Sequence, residues 1–331
     1  MQMDLRTVTI DPKRKSFGHI ARRIGADKIA SRYQEGTLDL QTEDNQHYRP
    51  LWDPAHEYFD KRRTQVEMAD WYAFKDPRQY YYGNYVIARA RQQEAAEGAF
   101  GFVESRGLAQ TMPDDLVQSA LNLLLPLRHV AWGASMNNDF VAAYGFGAAL
   151  TQPALYAAMD QLGIAQFVTR IGLLLDLPEA LEAAREAWLS AQCWQPLRRL
   201  VEDLFVEKDW FEVLVAQNLV LDGLMYPLIY GSIVDDHIVM RGGSAISMVC
   251  QFQNEWFAET AKWIDAQVKT ARGESAGNAA LIDGWIGKWK ARVVAALLPV
   301  SEIVLGTEAE GVVSDTVARF DARLAKLGLK A

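Results

Sequence analysis

The chain has 331 residues, half of them hydrophobic, and a formal net charge of −8. That is enough apolar material for a large buried core, in one domain or two closely joined ones, and it excludes a disordered chain. Without a basic surplus there is no electrostatic footprint for non-specific nucleic-acid binding.

The first sixty residues read as an arm. They carry Pro12, Pro50 and Pro54 and little helical periodicity, and their charge is segregated. Residues 1 to 34 hold eight Lys or Arg against three Asp or Glu, and residues 35 to 60 hold seven acidic residues against one basic. Clustered aromatics, among them Tyr33, Tyr48, Trp52, Tyr58 and Phe59, favour a segment that drapes over a partner rather than a solvated tail. The N-terminus lacks the apolar stretch of a signal peptide, so export is not expected. Cys193 and Cys250 form no CxxC and sit in apolar helical contexts, which suggests neither a disulfide framework nor a zinc site and fits a reducing cytoplasm.

From residue 61 onward the patterns are helical, with few strand signals. Residues 61–74 and 78–105 are rich in helix formers and are separated by Lys75-Asp76-Pro77. Met112-Pro113-Asp114-Asp115 suits a helix start, and the helix is expected to run to about Leu150. Phe140 to Met159 is uncharged and about long enough to span a bilayer. Thr151-Gln152-Pro153 interrupts it, however, so it reads as two buried helices with Pro153 opening the second. A further helix begins at Leu177-Pro178-Glu179. Gln195 to Ile233 forms a long apolar segment that Pro227 should kink or break. Helices follow over Ser244–Thr270, Asn278–Leu298 and Glu310–Lys326, with breaks marked by the Gly273 to Gly277 stretch, Pro299 and Gly306. The sum is an all-α protein of about ten helices with buried central ones.

A helical bundle of this size invites a carboxylate-bridged di-iron centre, which needs Glu-x-x-His pairs on two helices. There are only five histidines. Ser16, Pro126 and Val234 stand three residues before His19, His129 and His237, so none of these has the glutamate. Asp44–His47 and Asp53–His56 have the interval but lie in the proline-bearing arm, where a metal role is improbable. Gly145-Phe146-Gly147 lacks the third glycine of a dinucleotide fingerprint and reads as close helix packing. Asp235-Asp236-His237 is the most site-like cluster, though such a cluster more often marks a helix end meeting solvent.

Tyr80, Tyr81 and Tyr82, with Trp71 and Trp52, suit core or subunit-interface packing better than a ligand pocket. Arg128 and His129 interrupt an otherwise apolar helix. Being adjacent, they should face different sides of it and hydrogen-bond separately to neighbouring helices or to a partner subunit.

Three blocks carry a family resemblance: HIARRIGADKIASRYQEGTLDLQTEDNQHYRPLWDP, DWYAFKDPRQYYYGNYVIARARQQ and PLRHVAWGASMNN. Together they resemble the β subunits of bacterial multicomponent monooxygenases, most closely the P1 (L) component of the phenol hydroxylases. Toluene and methane monooxygenase β subunits look more distant. The resemblance implies a ferritin-like helical fold shared with a catalytic α subunit but lacking its iron ligands, within a hydroxylase of paired α, β and γ chains (α2β2γ2).

It also implies that the α subunit holds the di-iron centre, that a separate reductase with FAD and a 2Fe-2S cluster delivers electrons from NADPH or NADH, and that a small regulatory protein tunes the oxidation of phenols to catechols by O2. β subunits of this kind embrace the α chain with N-terminal extensions. On this reading residues 1–60 contact a partner, residues 61–331 form the ferritin-like domain, and the chain carries no catalytic or metal-binding residue. Arg128, His129, Trp52, Trp71, Tyr80, Tyr81 and Tyr82 are structural or interface candidates. Two alternatives stand beside it: an independently catalytic metalloenzyme using Glu94, Glu97 and Asp235-Asp236-His237, and a helical scaffold or regulator without an oxygenase partner.

Overall fold

The computed structural model describes residues 15–41, 48–175 and 178–330. Among them every regular element is helical, as the periodicity predicts. In the arm, α1 (Gly18–Ile24) and α2 (Arg32–Thr37) are short, and α2 opens on a reciprocal capping box between Ser31 and Gln34. The arm is seated on its own chain. Ile20 and Tyr33 are buried, the Tyr33 hydroxyl accepts the Asp76 backbone N–H at 2.7 Å, and Arg23 pairs with Asp39 and Asp70.

The expected helix over 61–74 does not form. Only 3₁₀ turns at Lys61–Arg63 and Trp71–Ala73 appear, each opened by an aspartate, Asp60 or Asp70, whose carboxylate accepts a backbone N–H two residues on. Such local side-chain bonds compete with helix propagation. α3 (Tyr82–Ser105) then packs on a later helix over Ser244–Glu274.

The single helix expected from 113 to about 150 is three. α4 (Asp114–Leu124) gives way at Leu125-Pro126 to α5 (Leu127–Tyr144), and Gly145-Phe146-Gly147 turns the chain into α6 (Ala148–Leu174). Gly147 sits at φ +89, and a Cβ at Gly145 would lie 2.5 Å from the Val141 carbonyl. These glycines therefore make a turn, not a helix-packing face. Pro153, expected to open a helix, instead lies inside α6. α7 (Pro178–Ser190) and α8 (Gln195–Val206) follow, and Cys193 lies half-buried in the turn between them rather than in a helix.

The apolar segment breaks at Glu207–Asp209, not at Pro227. Asp209 caps the next helix by accepting the N–H groups of Phe211 and Glu212, and its other oxygen takes the Gln65 N–H, pinning residues 64–66 to that end. From there a continuous rod runs from Trp210 to Ile238. It comprises α9 (Trp210–Leu214), a π-helical stretch (Val215–Leu221), α10 (Asp222–Tyr226) and a second π-helical stretch (Pro227–Ile238). Pro227 falls where the widened pattern begins, so its missing N–H interrupts no regular α turn.

The rod is long and apolar enough to cross a membrane, yet nearly all of it is buried inside the bundle. It is wrapped by α5, by α11 (Ser244–Glu274), by α12 (Ala276–Leu305) and by α13 (Ala309–Lys326). Pro299, expected as a break, lies within α12, which ends at Gly306. Val313, Val317, Phe320, Leu324 and Leu327 stand at helical spacing along one side of α13, of which Val313, Phe320 and Leu324 are buried and Val317 and Leu327 half-buried.

Candidate functional site

The centre of the bundle is polar. Asn137 on α5 donates to Gln217 Oε1 at 2.9 Å, and Gln217 donates in turn to Asp222 Oδ1 at 2.9 Å. Gln161 on α6 reaches the other Asp222 oxygen at 3.5 Å and accepts from the Tyr226 hydroxyl at 3.1 Å. One residue on in each helix, Asn218 donates to Asn138 at 3.0 Å. All these side chains are essentially inaccessible to solvent. Burial pushes the Asp222 carboxyl up to about 8, even with Gln217 hydrogen-bonded to it, so it is mainly protonated at neutral pH.

A second network lies beside the first, on the preceding residue of α6. Asp160 accepts both arms of Arg89 at 2.7 and 2.8 Å, the Trp256 indole N–H at 2.8 Å and the Tyr85 hydroxyl at 2.8 Å. Arg89 also pairs with Glu259. Here the guanidinium pairs with the buried Asp160 and the half-buried Glu259, and Arg78 also faces Glu259 at 3.5 Å.

These donors do not fit a carboxylate-bridged iron pair. The first network offers five side-chain amides and one neutral carboxylic acid, while Asp160 and Glu259 are committed to Arg89, and the buried Glu212 to Lys288 and the Trp289 indole N–H. Carboxylate-bridged di-iron centres are held by glutamates and histidines, not by side-chain amides. Among the described residues there is no group of three or more His, Cys, Asp or Glu placed to hold a metal ion.

The family model described as methane/phenol/alkene hydroxylase matches residues 52–275. The chain belongs to this family. It is 46% identical to the phenol 2-monooxygenase oxygenase component DmpL of Pseudomonas sp. strain CF600, over 100% of this chain and 99% of that one. It is 41% identical to the corresponding component MhpL of Acinetobacter pittii strain PHEA-2, over 100% and 98%. A crystal structure of xenon-pressurized phenol hydroxylase from Pseudomonas sp. OX1 superposes with a TM-score of 0.92 at 40% identity, covering 99% of both chains. The ferritin-like helical bundle implied by the three sequence blocks is thus the fold of this hydroxylase subunit.

Against that background the sequence candidates separate. Glu94 and Glu97 are exposed on α3, with Glu97 paired to Arg170. Asp235 is exposed and accepts from Ser247 and Asn254, while His237 faces Glu308 at 3.8 Å. As expected of a helix end meeting solvent, the cluster lies in the last turn of the rod, with Asp235 and Asp236 exposed, and the alternative ligand set is not gathered into one place. His56 does meet Asp53, at 2.9 Å, but Arg63 takes the other Asp53 oxygen at 2.7 Å, so this is an arginine-locked knot in the arm. Asp44 and His47 lie outside the described residues.

Trp71 is buried against Phe74, Phe146 and Trp210. Trp52 stays 40% exposed, with its other face on Phe140 and Tyr144. Tyr80 and Tyr81 precede the helix rather than lying on it: Tyr80 is buried, Tyr81 half-buried, and Tyr82, which opens α3, is 66% exposed.

Arg128 and His129 do not face different sides. Arg128 Nη2 donates to the Leu181 carbonyl on α7 at 2.6 Å, and its Nε donates to His129 Nε2 at 3.4 Å. The His129 ring stacks on Trp188 of α7 at 5.7 Å. Burial, with Arg128 and Arg185 nearby, lowers its pKa to about 4, so the imidazole is neutral at physiological pH.

The polar centre itself escaped the sequence reading. Its signal was the interruption of apolar runs by Asn137-Asn138, Asp160-Gln161, Gln217-Asn218 and Asp222, a pattern that a search for Glu-x-x-His spacing passes over.

Proposed function

We propose that the chain is the non-catalytic structural subunit of the hydroxylase component of a phenol hydroxylase, and that it holds no iron. One observation carries the reading: the position at the heart of the bundle is filled by a hydrogen-bonded set of amides around a neutral Asp222, with no free carboxylate for a metal. The naming of full-length relatives as phenol 2-monooxygenase oxygenase components supports the assignment to such a complex.

On this reading the di-iron centre belongs to a catalytic α partner, with a γ chain completing an α2β2γ2 hydroxylase. Electrons come from NAD(P)H through a separate reductase carrying FAD and 2Fe-2S, a regulatory protein acts on the assembly, and the whole works in the cytoplasm. The arm, Trp52 and Tyr82 are the contact residues proposed for the partner, because Trp52 and Tyr82 keep large aromatic surfaces exposed. Trp71 and Tyr80 act as core packing, Tyr81 is half-buried at the start of α3, and Arg128 and His129 brace α5 on α7.

The test is metal analysis of the purified chain, alone and co-expressed with the α and γ chains. The expected outcome is no stoichiometric iron in the isolated chain and a stable complex whose iron tracks the α chain. Iron bound one-to-one or two-to-one by the isolated chain would overturn the assignment.

A further inference from the structure

Between α5, α7 and α8 lies a cavity of about 270 Å³ that the polar centre does not use. Four aromatic residues line it together with Leu189, Val201, Arg185 and Glu202. Trp132 meets Phe205 edge-on at 5.9 Å and 86°, and His129 lies on Trp188 at 5.7 Å and 22°. Arg185 stands at the lining, while Trp132 and Phe205 remain 51% and 40% exposed. Gly133 builds the wall: a Cβ there would lie 2.3 Å from Val201 Cγ1 and 3.5 Å from the Phe205 ring, so any other residue would push α8, and Phe205 with it, away from α5.

We propose that this pocket binds a small planar aromatic molecule carrying a hydroxyl group. The size is adequate, since a cavity of about 150 Å³ lined by apolar side chains already accepts benzene. Paired aromatic walls favour a flat π-system over an aliphatic one of equal volume. The hydroxyl is met by His129. Its Nε2 accepts from the permanently protonated Arg128, so the proton of the neutral ring sits on Nδ1, leaving one N–H donor for a ligand oxygen. The Arg128–Leu181 bond holds the pair in register and so makes Arg128 a positioning residue for this donor.

The test is equilibrium dialysis of the full chain, alone and in the assembled hydroxylase, with radiolabelled phenol and with cyclohexanol as an aliphatic probe of similar size. The expected result is one saturable phenol site on the isolated chain that persists as an additional site in the complex. Affinity should fall about tenfold in Trp132→Ala and in Phe205→Leu, and cyclohexanol should bind at least several-fold more weakly. Trp132 is half-exposed, so its replacement leaves the core intact, and Phe205→Leu preserves bulk at the second wall. The proposal is overturned by no saturable site on the isolated chain, by phenol affinity unchanged in both variants, by cyclohexanol binding as tightly, or by loss of the site on assembly, which would mean that a partner chain covers it. Because the readout is binding to this chain, its failure leaves the iron-free structural assignment standing.

Discussion

At the level of single residues, Asp222 sets a pH dependence for the fold. Its carboxyl titrates near 8 when folded and near 4 in an unfolded chain, so the folded state holds a proton that the unfolded state has released. The stability this gives is complete below about pH 4 and is lost as pH rises towards 8, at roughly 1 kcal/mol per pH unit. Asp222→Asn keeps a neutral polar group of the same shape and removes the titration. Its melting temperature relative to the wild type should therefore climb between pH 5 and pH 8, and parallel curves across that range would show that Asp222 is already ionised in the fold.

The sequence showed that Arg128 and His129 were unusual and that no Glu-x-x-His exists, because both facts are local. It could not show that Arg128 bends back onto its neighbour's ring, which depends on where α7 places the Leu181 carbonyl. Nor could it show that Asp160 and Asp222, sixty residues apart in the chain, serve two adjacent but separate networks.

At the level of elements, most helices and several of their starts were legible, and the breaks between them were not. Prolines were taken as the breaks, yet Pro153, Pro227 and Pro299 all lie within continuous helices, where burial against neighbours outweighs a missing hydrogen bond. The breaks missed by the sequence are made by Leu125-Pro126, by Gly145-Phe146-Gly147 and by the capping carboxylate of Asp209. Gly147 should accordingly matter more than Pro153. At φ +89, and with its N–H donating to Gln41 of the arm at 2.6 Å, Gly147 joins α5, α6 and the arm. Gly147→Ala should cost about 1–2 kcal/mol in chemical denaturation because a Cβ is strained in that conformation. Pro153→Ala should change stability by less. A reversed order would mean that the proline, not the glycine, sets the hairpin.

At the level of the whole molecule, the fold is a hydroxylase-family helical bundle whose centre carries a network of buried amides, and composition alone could not reveal this. The arm is seated on the body through Tyr33, Arg23 and the contacts of Leu40 and Gln41 with the start of α6. Any partner would thus meet a surface made of both.

The rod from Trp210 to Ile238 has a further consequence, for biosynthesis. Its cover comes largely from α11, α12 and α13, all of which leave the ribosome after it. At about 5–20 residues per second, a greasy segment stays without its mates for several seconds in every round of translation. Chains truncated after Met240 should therefore partition into the insoluble fraction or onto chaperones in expression trials, where the full-length chain stays in solution. Equal solubility would mean that the first 240 residues shield the rod unaided. The order of helices along the gene thus places the burden of early folding on the nascent chain's handlers.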